Sequence, residues 1–145
     1  MKFRGDVLSA NKMTSYGRYY SKEVLNDIKN QIEGMIRNNS KMLGKLFLND
    51  LPYDIEFDEI SDKDAAMKII DAKIIGDKLY IYCETLDNNN GLLLSEYLKA
   101  YHKNFLCISG TGDVDDDNNV SNYEFVGVGM QVNVDSEKDS NVEVL

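Results

Sequence analysis

The chain has 145 residues, 43% of them hydrophobic, and a formal net charge of −9, which fits one domain with a single core. The acidic balance argues against nucleic acid or an anionic membrane as the main partner. No apolar run approaches the ~20 residues that cross a bilayer, and Met1 to Gly5 lack the hydrophobic stretch of a signal peptide, so we expect the protein to act where it is made.

The first forty residues predict a strand, a polar loop and an amphipathic helix. Phe3 to Ser9 has the pattern of a short strand, and Asn11 to Tyr20 is a polar loop that contains glycine. Ser21 can cap the helix, because its hydroxyl accepts a hydrogen bond from a backbone N–H of the first turn. The apolar residues that follow recur at three- and four-residue spacing, which places them on one helical face: Val24, Leu25, Ile28, Ile32, Met35 and Ile36.

The rest of the sequence predicts mixed strands and a second helix. In chain order these are a strand (42–48), a hairpin that turns at Gly76-Asp77 (65–75 and 78–86), an amphipathic helix (92–103), and two strands separated by an acidic loop (105–109 and 123–134). The polar tail, 135–145, is expected to be loosely held. Residues 1–134 are therefore predicted to form one α+β domain on an antiparallel sheet or small barrel.

The second strand of the hairpin separates two kinds of side chain. Cys83 shares a strand face with Leu79 and Ile81, which predicts a buried thiol, whereas Tyr80 and Tyr82 share the other face. Outward tyrosines suit a protein interface, but they equally suit a sheet face that helices of the same domain cover. The alternation alone leaves both possibilities open.

Several motifs occur in an order that resembles the head-maturation (prohead) proteases of tailed phages. Asn11 to Leu25 matches the loop, tyrosine and helix with which that family opens, and Ile69 to Tyr80 matches its glycine-turn hairpin. Gly44 to Asn49 (GKLFLN) stands where the family has Gly-Glu-x-x-His-Pro. Cys107 to Gly112 (CISGTG) stands where it has Ser-x-Arg-Gly-x-Gly, and Val126 to Gly129 (VGVG) where it has a Val-Gly-Val-Asp-like strand. The resemblance spans residues 11–134 and implies the family fold, shared with herpesvirus assemblin: a small, mostly antiparallel barrel flanked by helices.

The departures from these motifs bear on catalysis. Leu48, or Asn49 if the register slips by one, occupies the position that the resemblance assigns to the catalytic histidine. Cys107 occupies the nucleophile position, and Ser109 replaces the arginine that follows it. A neutral hydroxyl or thiol attacks poorly without a base to take its proton. The single histidine, His102, lies five residues before Cys107, so an active Cys107–His102 pair is the alternative to a catalytic site that has been lost.

A second pattern lies in the acidic loop. Asp113, Asp115, Asp117 and Glu124 occupy positions 1, 3, 5 and 12 of an EF-hand-type calcium loop. Position 6, which needs a sharp turn, is Asn118 rather than glycine, and the flanks read as strands rather than helices. An acidic hairpin tip is therefore preferred over a calcium site, and no cofactor is expected.

Taken with the resemblance, these departures predict a catalytically inactive protein of the prohead-protease fold. It would be a structural component of a phage head that assembles in the host cytoplasm, in several copies, against capsid or other head proteins, with no nucleic-acid or membrane partner. An active cysteine- or serine-type maturation protease is the first alternative, and a calcium-stabilised binding module is the second.

Overall fold

A computed structural model describes residues 1–14, 16–40, 42–48, 63–100, 103–132 and 140–145. Within these ranges the chain forms seven strands and two helices. The elements are β1 (Lys2–Ser9), α1 (Lys22–Arg37), β2 (Leu43–Leu48), β3 (Met67–Ile75), β4 (Lys78–Thr85), α2 (Asn89–Ala100), β5 (Asn104–Val114), β6 (Val120–Val132) and β7 (Val142–Val144).

The strands form one curled sheet in the order β5-β6-β2-β3-β4-β1-β7. Each neighbouring pair is antiparallel except β2 and β6, which run parallel. The predicted α+β class is confirmed, but the sheet is mixed and has the form of a half-barrel. A parallel pair needs a long crossover connection, and the chain between β2 and β6 supplies one, whereas no local pattern in the sequence indicates which strands meet through it.

Helix α1 packs on the concave side of the sheet, against β3, β4 and β6. Its N-terminus is capped as predicted, with the Ser21 hydroxyl accepting from the Val24 N–H at 3.2 Å. Leu25, Ile28 and Ile32 are buried in one core with the inward residues of the strands. The three- and four-residue spacing therefore predicted the packed face of this helix correctly.

The last strands differ from the prediction in two places. Strands β5 and β6 continue into the predicted acidic loop and leave only residues 115–119 as the turn between them. Residues 142–144 pair with β1 as β7, which differs from the loose tail that the polar composition predicts. The reason is that β1 offers a free edge, a feature of the folded sheet that composition does not reveal.

Curling brings β1 close to β5. A Cβ built on Gly5 would lie 2.9 Å from the Leu106 Cβ, so a side chain at position 5 would force the two strands apart. No helix in the described ranges is long and apolar enough to cross a membrane.

Candidate functional site

The motif positions singled out in the sequence lie on the adjacent strands β5, β6 and β2. Cys107 pairs with Gly129 across β5 and β6, and Gly129 pairs with Lys45 across β6 and β2. These three residues form one cross-strand row, here called the Cys107 row. Neighbouring strands lie about 4.8 Å apart, so the Cα atoms of Cys107 and Lys45 are roughly 10 Å apart.

The Cys107 row faces away from the core. The next row along β5 consists of Leu106, Met130 and Leu46; Leu106 is 2% exposed and Met130 is fully buried, both in the core. Successive side chains of a strand point to opposite faces. The thiol of Cys107, half-buried, and the ammonium group of Lys45, exposed, therefore lie on the convex face of the sheet.

Glycines separate the ionisable groups on this face. Gly129 has no side chain between Cys107 and Lys45, and Gly127 pairs with Ser109 in the next row on the same face. The row on the other side of Cys107 consists of Phe105, Gln131 and Phe47. The Lys45 ammonium group lies 5.8 Å from the centroid of the Phe47 ring, and the Cys107 thiol lies 3.9 Å from the backbone oxygen of Phe105.

The two positions that the resemblance assigns to catalysis are not brought side by side. Leu48 shares a row with Val132 and Asn104, three residues from the Cys107 row, which is roughly 10 Å along the strand. Lys45, which the motif comparison did not single out, is the β2 residue that shares the row with Cys107. Asn49 and His102 lie outside the described residues, and so does any arrangement between His102 and Cys107.

A close packing contact fixes the register of β2. A Cβ on Gly44 would lie 2.6 Å from the Met67 Cε and 2.9 Å from the Val128 Cγ2, so β3, β2 and β6 meet at a point where only glycine fits without displacement. The glycine of the GKLFLN motif therefore has a packing role. Its Cα pairs with Val128 and Met67 on the two sides, and this places Lys45 opposite Gly129.

The acidic hairpin tip is held by its own hydrogen bonds. The Asp115 carboxylate accepts from the backbone N–H groups of Asp117 and Asn119, both at 2.9 Å, and hydrogen bonding led by the Asn119 N–H lowers the pKa of Asp115. Asn118 has a φ of 66°, the left-handed conformation that asparagine tolerates better than most residues. These contacts form the turn from groups of the chain itself.

The candidate calcium ligands are spread along this hairpin. Asp113 pairs with Ser121 and accepts from the Asn122 side-chain amide at 2.9 Å, while Glu124 pairs with Thr111 farther from the tip. The described residues contain no group of three or more histidine, cysteine, aspartate or glutamate side chains placed to hold a metal ion. The geometry of Asp113, Asp115, Asp117 and Glu124 therefore gives the calcium alternative no support.

The other cysteine belongs to the core, as predicted. Cys83 is fully buried among inward residues of β4, and burial raises the pKa of its thiol. A thiol in such surroundings is a poor nucleophile. Of the two cysteines, Cys107 is the one that the sheet presents away from the core.

The outward tyrosines of β4 are covered by cationic side chains. The Arg4 guanidinium lies 4.6 Å from the Tyr80 ring centroid and donates to the Tyr82 hydroxyl at 3.0 Å. Lys73 lies over the Tyr82 ring at 5.1 Å. Stacking of this kind fixes the orientation of a guanidinium, and Arg4 uses the group to bind Glu143 of β7 at 2.9 Å.

A cavity of about 550 Å³ opens elsewhere, next to the end of α1. Its described lining includes Ile36, Met42, Ile69 and Leu86, with polar groups that include Lys68 and Asn88 at its edge. Cys107 and Lys45 are not among the described residues that line it. Among the described residues, this cavity and the Cys107 row are therefore separate features.

Comparison with known proteins identifies the fold. No protein-family model matches the chain, and no curated protein matches it either. Among solved structures, the capsid assembly protease of bacteriophage T4 is similar, with a TM-score of 0.71 and 21% sequence identity over 91% of this chain and 81% of that chain. The chain therefore has the prohead-protease fold that the motifs predicted, and the fold likeness by itself leaves activity open.

Proposed function

We propose that this protein is a catalytically inactive form of the capsid-assembly-protease fold and serves as a structural component of a phage head. The proposal rests on one observation, the composition of the Cys107 row. That row joins a thiol, a glycine and an ammonium group, and the described rows beside it on the convex face add no imidazole and no carboxylate. Neither β6 nor β2 therefore contributes an imidazole or a carboxylate to this row.

The other two residues of the row do not supply a general base. An ammonium group donates hydrogen bonds and has no lone pair to accept a proton, so exposed Lys45 does not replace the missing imidazole. Gly129 stands where the resemblance expects aspartate and contributes no charge. The β2 strand, from Leu43 to Leu48, has Lys45 as its single ionisable side chain. General-base catalysis needs a positioned acceptor within about 3 Å of the proton.

The same face has features that suit a binding surface. Half-buried Phe105 and Phe47 flank Gln131 in the row beside Cys107. Aromatic residues with a central polar group are typical of protein interfaces, where they bury a large area at low entropic cost. The partners that we propose are capsid or other head proteins, in several copies, within the virion or its assembly intermediates.

An assay of cleavage and binding together tests the proposal. The full chain is incubated with precursor head proteins, and the products are analysed by mass spectrometry while co-sedimentation with assembled heads is measured. We expect co-sedimentation without specific cleavage, equally for the native chain and for Cys107→Ala. Specific cleavage that Cys107→Ala abolishes would reject inactivity, and failure to sediment with heads would reject the structural role.

The second candidate is an active cysteine-type maturation protease. The observation in its favour is the position of Cys107 on the convex face, in a fold that a known protease shares. An activated thiolate reacts faster with iodoacetamide than a model thiol does at neutral pH. If Cys107 reacts faster and His102→Ala slows it to the rate of the model thiol, the pair is active and this candidate replaces the first.

A further inference from the structure

The half-barrel closes through a short C-terminal segment, residues 140–145, which we call the clasp. It lies between β1 and β5. Val142 to Val144 pair with β1, and the Leu145 N–H donates to the Lys2 carbonyl oxygen at 2.9 Å. The Ser140 hydroxyl donates to the Asn104 carbonyl oxygen at 2.8 Å. The two strands are therefore joined by a third segment and not by a direct ladder.

A side-chain amide performs the joining. The Asn141 Oδ1 accepts from the Leu106 N–H at 2.9 Å, and its Nδ2 donates to the Leu106 carbonyl oxygen at 2.9 Å and to the Asp6 carbonyl oxygen at 3.0 Å. Its own backbone oxygen accepts from the Asp6 N–H at 3.3 Å. An amide side chain carries the same donor and acceptor groups as a peptide. Asn141 therefore supplies to β5 the donor and acceptor groups that one peptide unit of a neighbouring strand would supply.

The boundary between β1 and β5 that the clasp fills is here called the seam. A charged contact adds selectivity to it. Glu143 binds the Arg4 guanidinium, which is oriented beforehand by the Tyr80 ring and the Tyr82 hydroxyl. A segment that fits the seam therefore needs an amide side chain and, two residues later, a carboxylate. The clasp has both, as Asn141 and Glu143.

The clasp buries little apolar surface at its end. Val144 is 45% exposed and Leu145 is 61% exposed, and β7 lies at the edge of the sheet. Segments with few buried apolar contacts open at low free-energy cost. When such a segment leaves, the edges of β1 and β5 can accept an extended chain in its place.

We propose that the seam between β1 and β5 is a strand-acceptor site and that its occupant in an assembly is the clasp of a second copy. Every contact described above is then kept between two chains, because the bonds run to backbone groups and to Arg4 of whichever copy receives the clasp. Exchange of identical elements is a low-cost route to association, and high local concentration favours it. The proposal is independent of whether Cys107 reacts.

A disulfide assay distinguishes exchange from the closed single chain. One copy carries Lys2→Cys and the other carries Leu145→Cys, both with Cys107→Ser, and the two are mixed at high concentration before mild oxidation. Lys2 and Leu145 are adjacent across the seam, as their 2.9 Å hydrogen bond shows. Because each copy has one of the pair, a cross-linked heterodimer at this position needs exchange. A copy with Ile75→Cys, exposed and away from the seam, measures random collision.

We expect the seam pair to cross-link about tenfold more than the collision control, and Asn141→Ala in the donor copy to make the cross-link form severalfold faster, because a weakened clasp opens more readily while the closed and exchanged forms lose the same hydrogen bonds. Glu143→Gln in the donor serves as the second variant if Asn141→Ala does not fold. Cross-linking no greater than the control would overturn the proposal. A cross-linking rate that neither variant raises would also overturn it, because the clasp would then not have to leave its own copy for the copies to join.

Discussion

The two halves of the sheet are held in different ways. In the half formed by β3, β4 and β1, each ladder is antiparallel and the inward residues are fully buried, as Leu79 and Ile81 are. In the half formed by β5 and β6, a side chain completes the hydrogen bonding at two places where strand pairing is missing. Gln31 of α1 binds the backbone of β6, and Asn141 binds the backbone of β5.

Burial and edge hydrogen bonds therefore have different roles, one in the stability of the fold and the other in the position of the strands that carry the Cys107 row. Burial of apolar surface contributes most of the folding free energy, and both halves share it, because Leu106, Val128 and Met130 lie in one core with Leu79 and Ile81. In the second half, which carries the Cys107 row, the side-chain amides of Gln31 and Asn141 bind strand edges in addition. Residues of that row can change without loss of the core, because their side chains lie on the convex face.

Thiol labelling compares the two halves directly. Cys83 lies in the core of the first half, and Cys107 lies on the convex face of the second. A thiol-specific reagent under native conditions should therefore modify Cys107 first. We expect Cys83 to react at least about a thousandfold more slowly, because its exposure needs an opening of several kcal/mol. Mass spectrometry of timed samples identifies the modified residue. Similar native rates for both thiols would contradict the comparison, and equal rates in denaturant are the control.

A cavity in the core beneath β3, β4 and β1 should have the largest effect on the free energy of unfolding. Ile81→Ala removes a fully buried side chain of β4 and should lower the free energy of unfolding by about 2–5 kcal/mol, as large-to-small core changes do. Urea denaturation measures it. Ile75→Ala in the neighbouring strand is the matched control, since Ile75 is 48% exposed and should cost about 0.5 kcal/mol or less. Equal losses would mean that β4 is not part of the core.

Loss of the two hydrogen bonds between the Gln31 side chain and the backbone of β6 should have a smaller effect, local to β6. The Gln31 side chain donates to the Tyr123 carbonyl oxygen at 2.7 Å and accepts from the Phe125 N–H at 2.8 Å. Gln31→Ala should cost about 1–3 kcal/mol, because it leaves both backbone groups without this partner. Hydrogen exchange should accelerate at the Phe125 amide before it does so in β4.

Two controls sharpen this test. Asn30→Ala removes an exposed amide from the same helix and should leave exchange at Phe125 unchanged. Gln31→Glu keeps an acceptor for the Phe125 N–H but cannot donate to Tyr123 while ionised, so its effect should fall between the other two. If Gln31→Ala and Asn30→Ala have the same effect on exchange at Phe125, the Gln31 side chain does not position β6.

The smallest expected effect concerns the hairpin tip and pH. Hydrogen bonds from Asn119 and Asp117 lower the pKa of Asp115 below its ordinary value of 3.8. The carboxylate therefore stabilises the turn fully above that ordinary value, and the contribution is lost as pH falls through the lowered folded-state pKa. NMR shifts of the Asn119 and Asp117 amides should report the change at acidic pH. Asp115→Asn should remove this titration and leave the amide shifts of β3, β4 and β1 unchanged.

Local pattern determined much of the fold. The helical spacing from Val24 to Ile36 predicted the buried face of α1, and the alternation around Cys83 predicted the inward face of β4. The ordered motifs, with the glycines of GKLFLN and VGVG, predicted the prohead-protease fold that the structural comparison confirms. These predictions succeed because burial imposes a period on the sequence that each element displays by itself.

Tertiary structure decided the arrangement of the site. The parallel pairing of β2 with β6 places Lys45, and not Leu48, in the row with Cys107, and the clasp joins β1 to β5 through Asn141. Both depend on contacts between residues distant in sequence, as between Lys45 and Gly129, 84 positions apart (129 − 45), and between Asp6 and Asn141, 135 positions apart. Register between distant strands and the choice of an edge are set by how the whole sheet curls and packs, and no short stretch of sequence contains that information.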